Sequence, residues 1–160
     1  MPTFLIAAAL RRYLLAIGMN LLPLSSMRAW LLSLCGVKVG KSCYIGFGVM
    51  VDTNHPHLII IGSGVTISHN CTLVTHTQTP IKDVPLSEAI NHIRPIKIMD
   101  GSWIGLNSVI LPGAIIAENT FIGAGSVVPA ITTRPGCLYA GNPCKLRRSI
   151  LDSRITKNNF

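Results

Sequence analysis

The sequence predicts an all-β fold, a parallel β-helix of six-residue repeats with a short helical segment before it and a loop protruding from one side. Three observations carry that expectation. Aliphatic residues recur every six positions through most of the chain, two interruptions of that period preserve its phase, and an apolar stretch without acidic residues precedes the first repeat. Six is neither the period of a helix nor the alternation of a half-buried strand. A short fixed repeat marks a fold built by stacking identical units.

The inward row reads Val39, Ile45, Val51, then Ile61, Ile67, Leu73, and finally Ile98, Ile104, Ile110, Ile116, Ile122 and Val128. Glycine follows in Val39-Gly40, Ile45-Gly46, Ile61-Gly62, Ile104-Gly105 and Ile122-Gly123. Each short strand is therefore expected to run into a tight turn in which Gly or Asn relieves steric strain. Three hexads make a coil of about 18 residues. Val51 and Ile61 are ten positions apart rather than six, so about four residues near Thr53 to Pro56 bulge from the second coil. Leu73 and Ile98 are 25 apart, so about nineteen residues, roughly 77–95, leave the coil and return in register. Insertions of this kind tend to line the working face of a repeat fold. The resulting division is an N-terminal helical, amphipathic segment (1–36), a β-helix of nearly five coils (37–142) and a basic closing segment (143–160). The two outer segments are expected to cover the unpaired β edges at the ends of the stack.

At 160 residues the chain has the size of one domain. Hydrophobic residues at 49% against 12% charged exclude a disordered chain. The net charge of +8 is unevenly placed. Residues 1–41 carry five bases and no acid, 42–133 are mildly acidic, and 134–160 hold six bases against Asp152 alone. Basic ends on an acidic body fit anionic partners there, either membrane head groups or a phosphorylated cofactor. Nucleic acid is not expected, because aromatics are few and no basic stripe runs along the body. The five cysteines are odd in number and form no CxxC pair, which suits thiols in a reducing compartment, with a Cys137–Cys144 bridge left open.

Within residues 4–34, Arg11-Arg12, Asn20, Pro23 and Arg28 interrupt the apolar run, so no stretch reaches the 18 or more residues of a spanning helix. Two short helices are expected, roughly Phe4 to Leu21 and Ser25 to Leu34, broken at Pro23. They either lie in a membrane interface with arginines toward head groups or pack on one end of the body or in a subunit interface. A signal peptide is imitated only imperfectly. The expected location is cytoplasmic, with peripheral contact at the inner face of the cell membrane.

The stretch DGSWIGLNSVILPGAIIAENTFIGAGSVVP (100–129) with AGNPCKLRR (140–148), and the earlier VGKSCYIG (39–46) and IIIGSGVTISHNCTLVTH (59–76), resemble the left-handed β-helix, or hexapeptide-repeat, acyltransferases. The likeness is greatest to the branch that O-acetylates sugars, oligosaccharides and surface polysaccharides. That resemblance implies the left hand of the coil, acetyl-CoA as cosubstrate, a sugar or glycan acceptor, and a homotrimer with its sites between subunits. It places the catalytic histidine at His76, in TLVTH just before the large loop. A histidine neutral at pH 7 suits the role, taking the proton of an attacking hydroxyl and returning it to the departing thiolate. No covalent intermediate is needed, and a backbone N–H or water would stabilise the oxyanion.

By family position, Gly105, Ala124 and Gly125 match the lining of the acetyl-CoA groove, and Lys145 and Arg148 match bases that face its nucleotide. Relatives carry a lysine where this chain reads Pro129-Ala130-Ile131, and Arg134 is the candidate to compensate. Trp103 matches an aromatic at the trimer contact and acceptor end. Asn54 and His55 in the bulge and Glu88 in the loop are further expected acceptor residues. Some relatives place an acid directly after the histidine, but Thr77 stands there, so Glu88, Asp83, Asp52 or a backbone carbonyl is left to orient the ring. The asparagine that galactoside-acetylating relatives use one coil earlier falls, by counting back from Ile61, at Met50. No metal is expected: the zinc enzymes of this fold pair histidines five residues apart, whereas His69 and His76 are seven apart. The competing class is a noncatalytic β-helix scaffold.

Overall fold

The computed structural model describes residues 2–77 and 92–150. Two helices, α1 (Pro2–Leu21) and α2 (Ser25–Leu34), lead into short strands that wind as coils. The first coil holds β1 (Lys38–Val39), β2 (Tyr44–Ile45) and β3 (Met50–Val51), and the second β4 (Ile59–Ile61), β5 (Thr66–Ile67) and β6 (Thr72–Leu73). A short antiparallel pair, β7 (His76–Thr77) and β8 (His92–Ile93), marks where the long insertion leaves and rejoins. The third coil holds β9 (Ile96–Ile98), β10 (Trp103–Ile104) and β11 (Val109–Ile110), and the fourth β12 (Ile115–Ile116), β13 (Phe121–Ile122) and β14 (Val127–Val128). A fifth begins with Thr132 beside Ile115 and continues in β15 (Cys137–Ala140), against which β16 (Lys145–Ser149) folds back antiparallel.

Corresponding strands stack in parallel into three sheets, β1-β4-β9-β12, β2-β5-β10-β13-β15 and β3-β6-β11-β14, the three faces of a prism. Ile60 stands over Lys38, Lys97 over Ile60 and Ile115 over Lys97, steps of 22, 37 and 18 residues. Those steps equal the 18-residue coil with the four and nineteen extra residues that the broken period requires. The inward row is buried as the pattern demands: Ile45, Ile67, Leu73, Ile98, Ile104, Ile110, Ile116, Ile122 and Val128 have no exposed surface. Each such side chain contributes about 1.5–3 kcal/mol by leaving water.

A second inward row, two residues ahead of the first, escapes an aliphatic search because its character changes along the stack. Val49, Ile59, Val65, Cys71 and Ile96 occupy it early, then Ser102, Ser108, Ala114, Thr120 and Ser126. The buried hydroxyls are satisfied by carbonyls: Ser102 donates to Ala117 O at 2.7 Å, Ser126 to Gly123 O at 2.6 Å and Thr120 to Arg134 O at 3.0 Å. Paired in this way they cost little to bury.

The glycines that follow the aliphatic row do not serve the turn as the pattern suggests. A Cβ on Gly46 would lie 2.6 Å from His69 N, and one on Gly105 2.5 Å from Ala124 N. They allow the backbones of adjacent coils to touch. The left-handed turn residues come two positions later, for example Gly64 at φ +65° and Asn107 at φ 56°.

The ends of the stack are capped by specific bonds. Ile45 on edge strand β2 receives α2 on both backbone groups: its N–H donates to Ser25 Oγ at 2.8 Å, and its carbonyl accepts from Arg28 Nε at 2.8 Å. Arg28 is buried, bonds Leu22 O as well, and lies 3.9 Å over the Phe47 ring. Arg11 donates to Thr53 O, while Arg12 reaches Thr53 Oγ1 at 3.2 Å and Asn54 Oδ1 at 2.7 Å. The three arginines thus bond to the body of the protein. The large apolar side chains that α1 and α2 leave exposed include Tyr13, Ile17, Leu21, Trp30 and Leu34. No described helix is long and apolar enough to cross a membrane. All five cysteines are free, so Cys137 and Cys144 are not bridged.

These two kinds of glycine respond differently to substitution. Gly46→Ala forces apart two backbones and is expected to cost at least about 1–3 kcal/mol. Gly64→Asn, at a left-handed position with no atom nearer than 3.9 Å to a new Cβ, is expected to cost about 1 kcal/mol or less. Denaturant melts of the two variants check the contrast.

Candidate active site

Stacking brings Asp52 and His76 together across 24 positions of sequence. Met50 pairs with Thr72 and Val51 with Leu73, so the residues leaving β3 and β6 remain neighbours, and Asp52 N–H donates to Leu73 O at 2.9 Å. At this shared edge the first coil enters its bulge and the second its long insertion. The next residues are then free of the hexad pattern and carry polar side chains.

The Asp52 carboxylate collects five donors. Oδ1 accepts from the backbone N–H of Asn54 at 2.8 Å and of His55 at 3.3 Å. Oδ2 accepts from Thr75 N at 3.2 Å, from Thr75 Oγ1 at 2.5 Å and from His76 Nδ1. Its side chain is only 1% exposed. Burial alone would raise its pKa, but hydrogen bonds from Thr75, His76 and Asn54, with the attraction of His76, outweigh that and hold it at about 2. At neutral pH the group is an ionised acceptor, so Nδ1 of His76 carries the proton of their bond, and in the neutral ring Nε2 keeps its lone pair. His76 has no further hydrogen bond at Nε2 among the described residues. Its side chain is 23% exposed and borders an open depression of about 250 Å³ with Met50, Asp52, Asn54, Thr72 and Val74. The His55 ring stands edge-on to it, centroids 5.6 Å apart.

Of the acceptor residues expected from sequence, Asn54 lines this depression and His55 abuts His76. Glu88 lies outside the described residues, as does Asp83. Among the alternatives for orienting His76, the described contact is with Asp52. The strand register sets Met50 beside Thr72, in the wall of the depression that Asp52 and His76 also border. Trp103 lies on another face, in the sheet of β2 and β5, with Nε1–H on Ser68 Oγ at 3.0 Å and its ring edge-on to Phe121. Within one chain the fold does not bring it to His76. His69 is stacked on Phe47, and His92 pairs with Thr77. Among the described residues no cluster of three His, Cys, Asp or Glu side chains could hold a metal.

The expected cofactor residues fall toward the C-terminal coils. Gly105 is buried against Ala124. Ala124 and Gly125 are exposed, and a Cβ on Gly125 would meet nothing within 4 Å. Arg134, Lys145 and Arg148 are exposed, the last two on β16, where Lys145 pairs with Ala140 and Arg148 with Leu138.

Comparison with known proteins agrees with this architecture. The family described as bacterial transferase hexapeptide (six repeats) matches residues 95–130, the third and fourth coils. The galactoside O-acetyltransferase of Escherichia coli (strain K12) is 33% identical over 116 residues, 72% of this chain and 55% of that protein. YvoF of Bacillus subtilis (strain 168) is 30% identical over 127 residues, 78% of this chain and 67% of its own length. A solved galactoside acetyltransferase in complex with coenzyme A superposes with a TM-score of 0.64 at 25% identity, covering 97% of this chain and 84% of that one. The chain belongs to the hexapeptide-repeat acetyltransferase family, whose coil is a left-handed β-helix. It spans about half the length of the Escherichia coli relative.

Every atom around the Asp52 carboxylate donates to it, so the amide of Asp52→Asn must set an NH₂ against donors on one side. The expected cost is about 1–3 kcal/mol at neutral pH. Because the folded pKa lies below the ordinary value of about 3.9, the stabilisation from this ionisation is complete above that pH and is lost as pH falls toward 2. Melting profiles between pH 2 and 7 are expected to show this acid step in the wild type and a flatter one in Asp52→Asn. Identical profiles would contradict the assignment.

Proposed function

We propose that this protein transfers the acetyl group of acetyl-CoA to a hydroxyl of a sugar, with His76 as general base. The observation that carries the reading is the buried Asp52 carboxylate bonded to Nδ1 of His76 at the rim of an open depression. Asp52 fixes the ring and its tautomer, so Nε2 accepts the proton of the acceptor hydroxyl as that oxygen attacks the thioester carbonyl. Collapse of the tetrahedral species expels the CoA thiolate, which takes the proton back from Nε2. Asp52 stabilises the transient imidazolium without itself becoming protonated. Asn54 and His55 border the acceptor, and Glu88 is a further acceptor residue.

For the donor, we assign the exposed surface of Ala124 and Gly125 to the pantetheine arm, and Arg134, Lys145 and Arg148 to the phosphates. Small side chains admit a thin ligand, and exposed cations at one end of the stack suit a nucleotide. Gly105 serves this groove through its backbone, by letting the coils of Ile104 and Ala124 close up. A homotrimer with sites between subunits would bring Trp103 of one chain toward the acceptor end of a neighbour's site. Support comes from the relative named galactoside O-acetyltransferase and from the neighbour solved with coenzyme A. We place the enzyme in the cytoplasm, in the synthesis of oligosaccharide or surface polysaccharide. The exposed apolar side of α1 and α2 supports peripheral contact with the inner face of the membrane.

The test is release of the free CoA thiol with a panel of sugar acceptors, alongside calorimetry with acetyl-CoA. His76→Ala is expected to lower kcat by about 10²–10⁴ while still binding acetyl-CoA. A wild-type protein that does not bind acetyl-CoA, or a His76→Ala variant that turns over normally, would overturn the reading.

A further inference from the structure

A second depression, of about 270 Å³, lies under α1 and adjoins the one at His76. The two share Met50, Val51 and Thr53 in their walls, so they adjoin along β3, and an occupant spanning both would follow a trough from α1 to the imidazole. The portion under α1 is mostly apolar, walled by Leu15, Ala16, Met19, Val49 and Met50 with Asn20 also in the wall, and Met50 is 61% exposed although it faces this trough. The cation in its wall is Arg12, at the junction with the His76 depression. Arg12 spends Nε and Nη2 on Thr53 and Asn54 and has no partner for Nη1 among the described residues. Arg11 beside it has a buried Nε without a hydrogen bond. Beyond the trough, α1 continues outward as apolar surface through Ile17 and Leu21, 58% and 74% exposed.

A free sugar does not call for this arrangement. A hydrophilic ring fits at His76, Asn54 and Thr72, but the carbon-lined extension would stay unused and wet. We infer that the acceptor is a sugar joined through phosphate to an apolar chain: the sugar at His76, the phosphate at Arg12, the chain in the trough under α1. The chemistry is ordinary, a guanidinium meeting an anionic oxygen and alkyl carbons leaving water along an apolar wall. This acceptor class rests on the acetyl-transfer reading for its sugar end only. The donor does not compete for the trough in that reading, since the bases assigned to it stand at the opposite end of the stack.

Decyl phosphate isolates the phosphate and chain from the sugar and from the reaction. The full chain is titrated by calorimetry with decyl phosphate, decyl maltoside (the same tail without the anion) and inorganic phosphate. Decyl phosphate is expected to bind at least tenfold more tightly than either control. Arg12→Gln is expected to erase its preference over decyl maltoside, and Ala16→Leu, which fills the trough, to weaken both tailed ligands at least tenfold. Thermal melts of each variant confirm folding. Equal affinity for decyl phosphate and inorganic phosphate, or for decyl phosphate and decyl maltoside, would overturn the assignment. So would indifference to both substitutions, which would put the ligand on the exposed outer face of α1 and α2, or displacement by acetyl-CoA, which would give the trough to the donor. Because the titration involves neither His76 nor acetyl transfer, its failure leaves that chemistry standing, and failure of that chemistry leaves the titration readable.

Discussion

Close stacking of one coil on the next is the constraint from which the rest of this molecule follows. Strands of two or three residues have little stability alone, and they persist because each backbone group finds its partner one coil away. Gly40, Gly46 and Gly105 keep that separation by leaving no Cβ between coils, a Cβ on any of them falling within 2.6 Å of the neighbouring backbone. Once the separation is set, two side-chain rows meet in the prism interior, one wholly aliphatic and one that shifts from Val and Ile to Ser and Thr. Open edges at both ends are the cost of such a stack. Here Ser25 and Arg28 occupy the first edge and β16 the last.

The site is a product of the same register. Both departures from the repeat leave the same corner, one above the other, so a bulge in one coil and an insertion in the next face each other. Asp52 sits at the inner side of that junction and ties it together: the bulge through Asn54 and His55, the following coil through Thr75 and His76. Its donors hold it ionised, and its ionisation in turn sets the ring it orients. Arg11 and Arg12 fasten α1 to the outer side of the same bulge. The depression at His76 and the helical cap are therefore one assembly, tied through the bulge.

Much of this was legible before the structure, because a six-residue period and two phase-preserving gaps allow no helix or hairpin and specify how many residues leave the coil. Other features were hidden for definite reasons. The Ser and Thr row is invisible to an aliphatic search. The glycines looked like turn residues because turn and stacking glycines lie only two positions apart. Composition left Arg28 and the Arg11-Arg12 pair open to head groups or to packing on the body, and their actual partners, edge strand β2 and the bulge, lie 17 or more residues away in sequence. Asp52 was one of four candidates for orienting His76, and only the contact of its carboxylate with Nδ1 singles it out.

The central claim is that Asp52 holds His76 as the Nδ1–H tautomer, with Nε2 bare and ready to accept a proton. Nitrogen-15 NMR of the neutral imidazole, recorded on the alkaline side of its titration with His76→Gln used to assign the signal, tests it most directly. The account predicts a protonated Nδ1 and a pyridine-type Nε2, with that preference lost in Asp52→Ala. A proton resident on Nε2 in the wild type, or a tautomer that ignores the loss of Asp52, would contradict it.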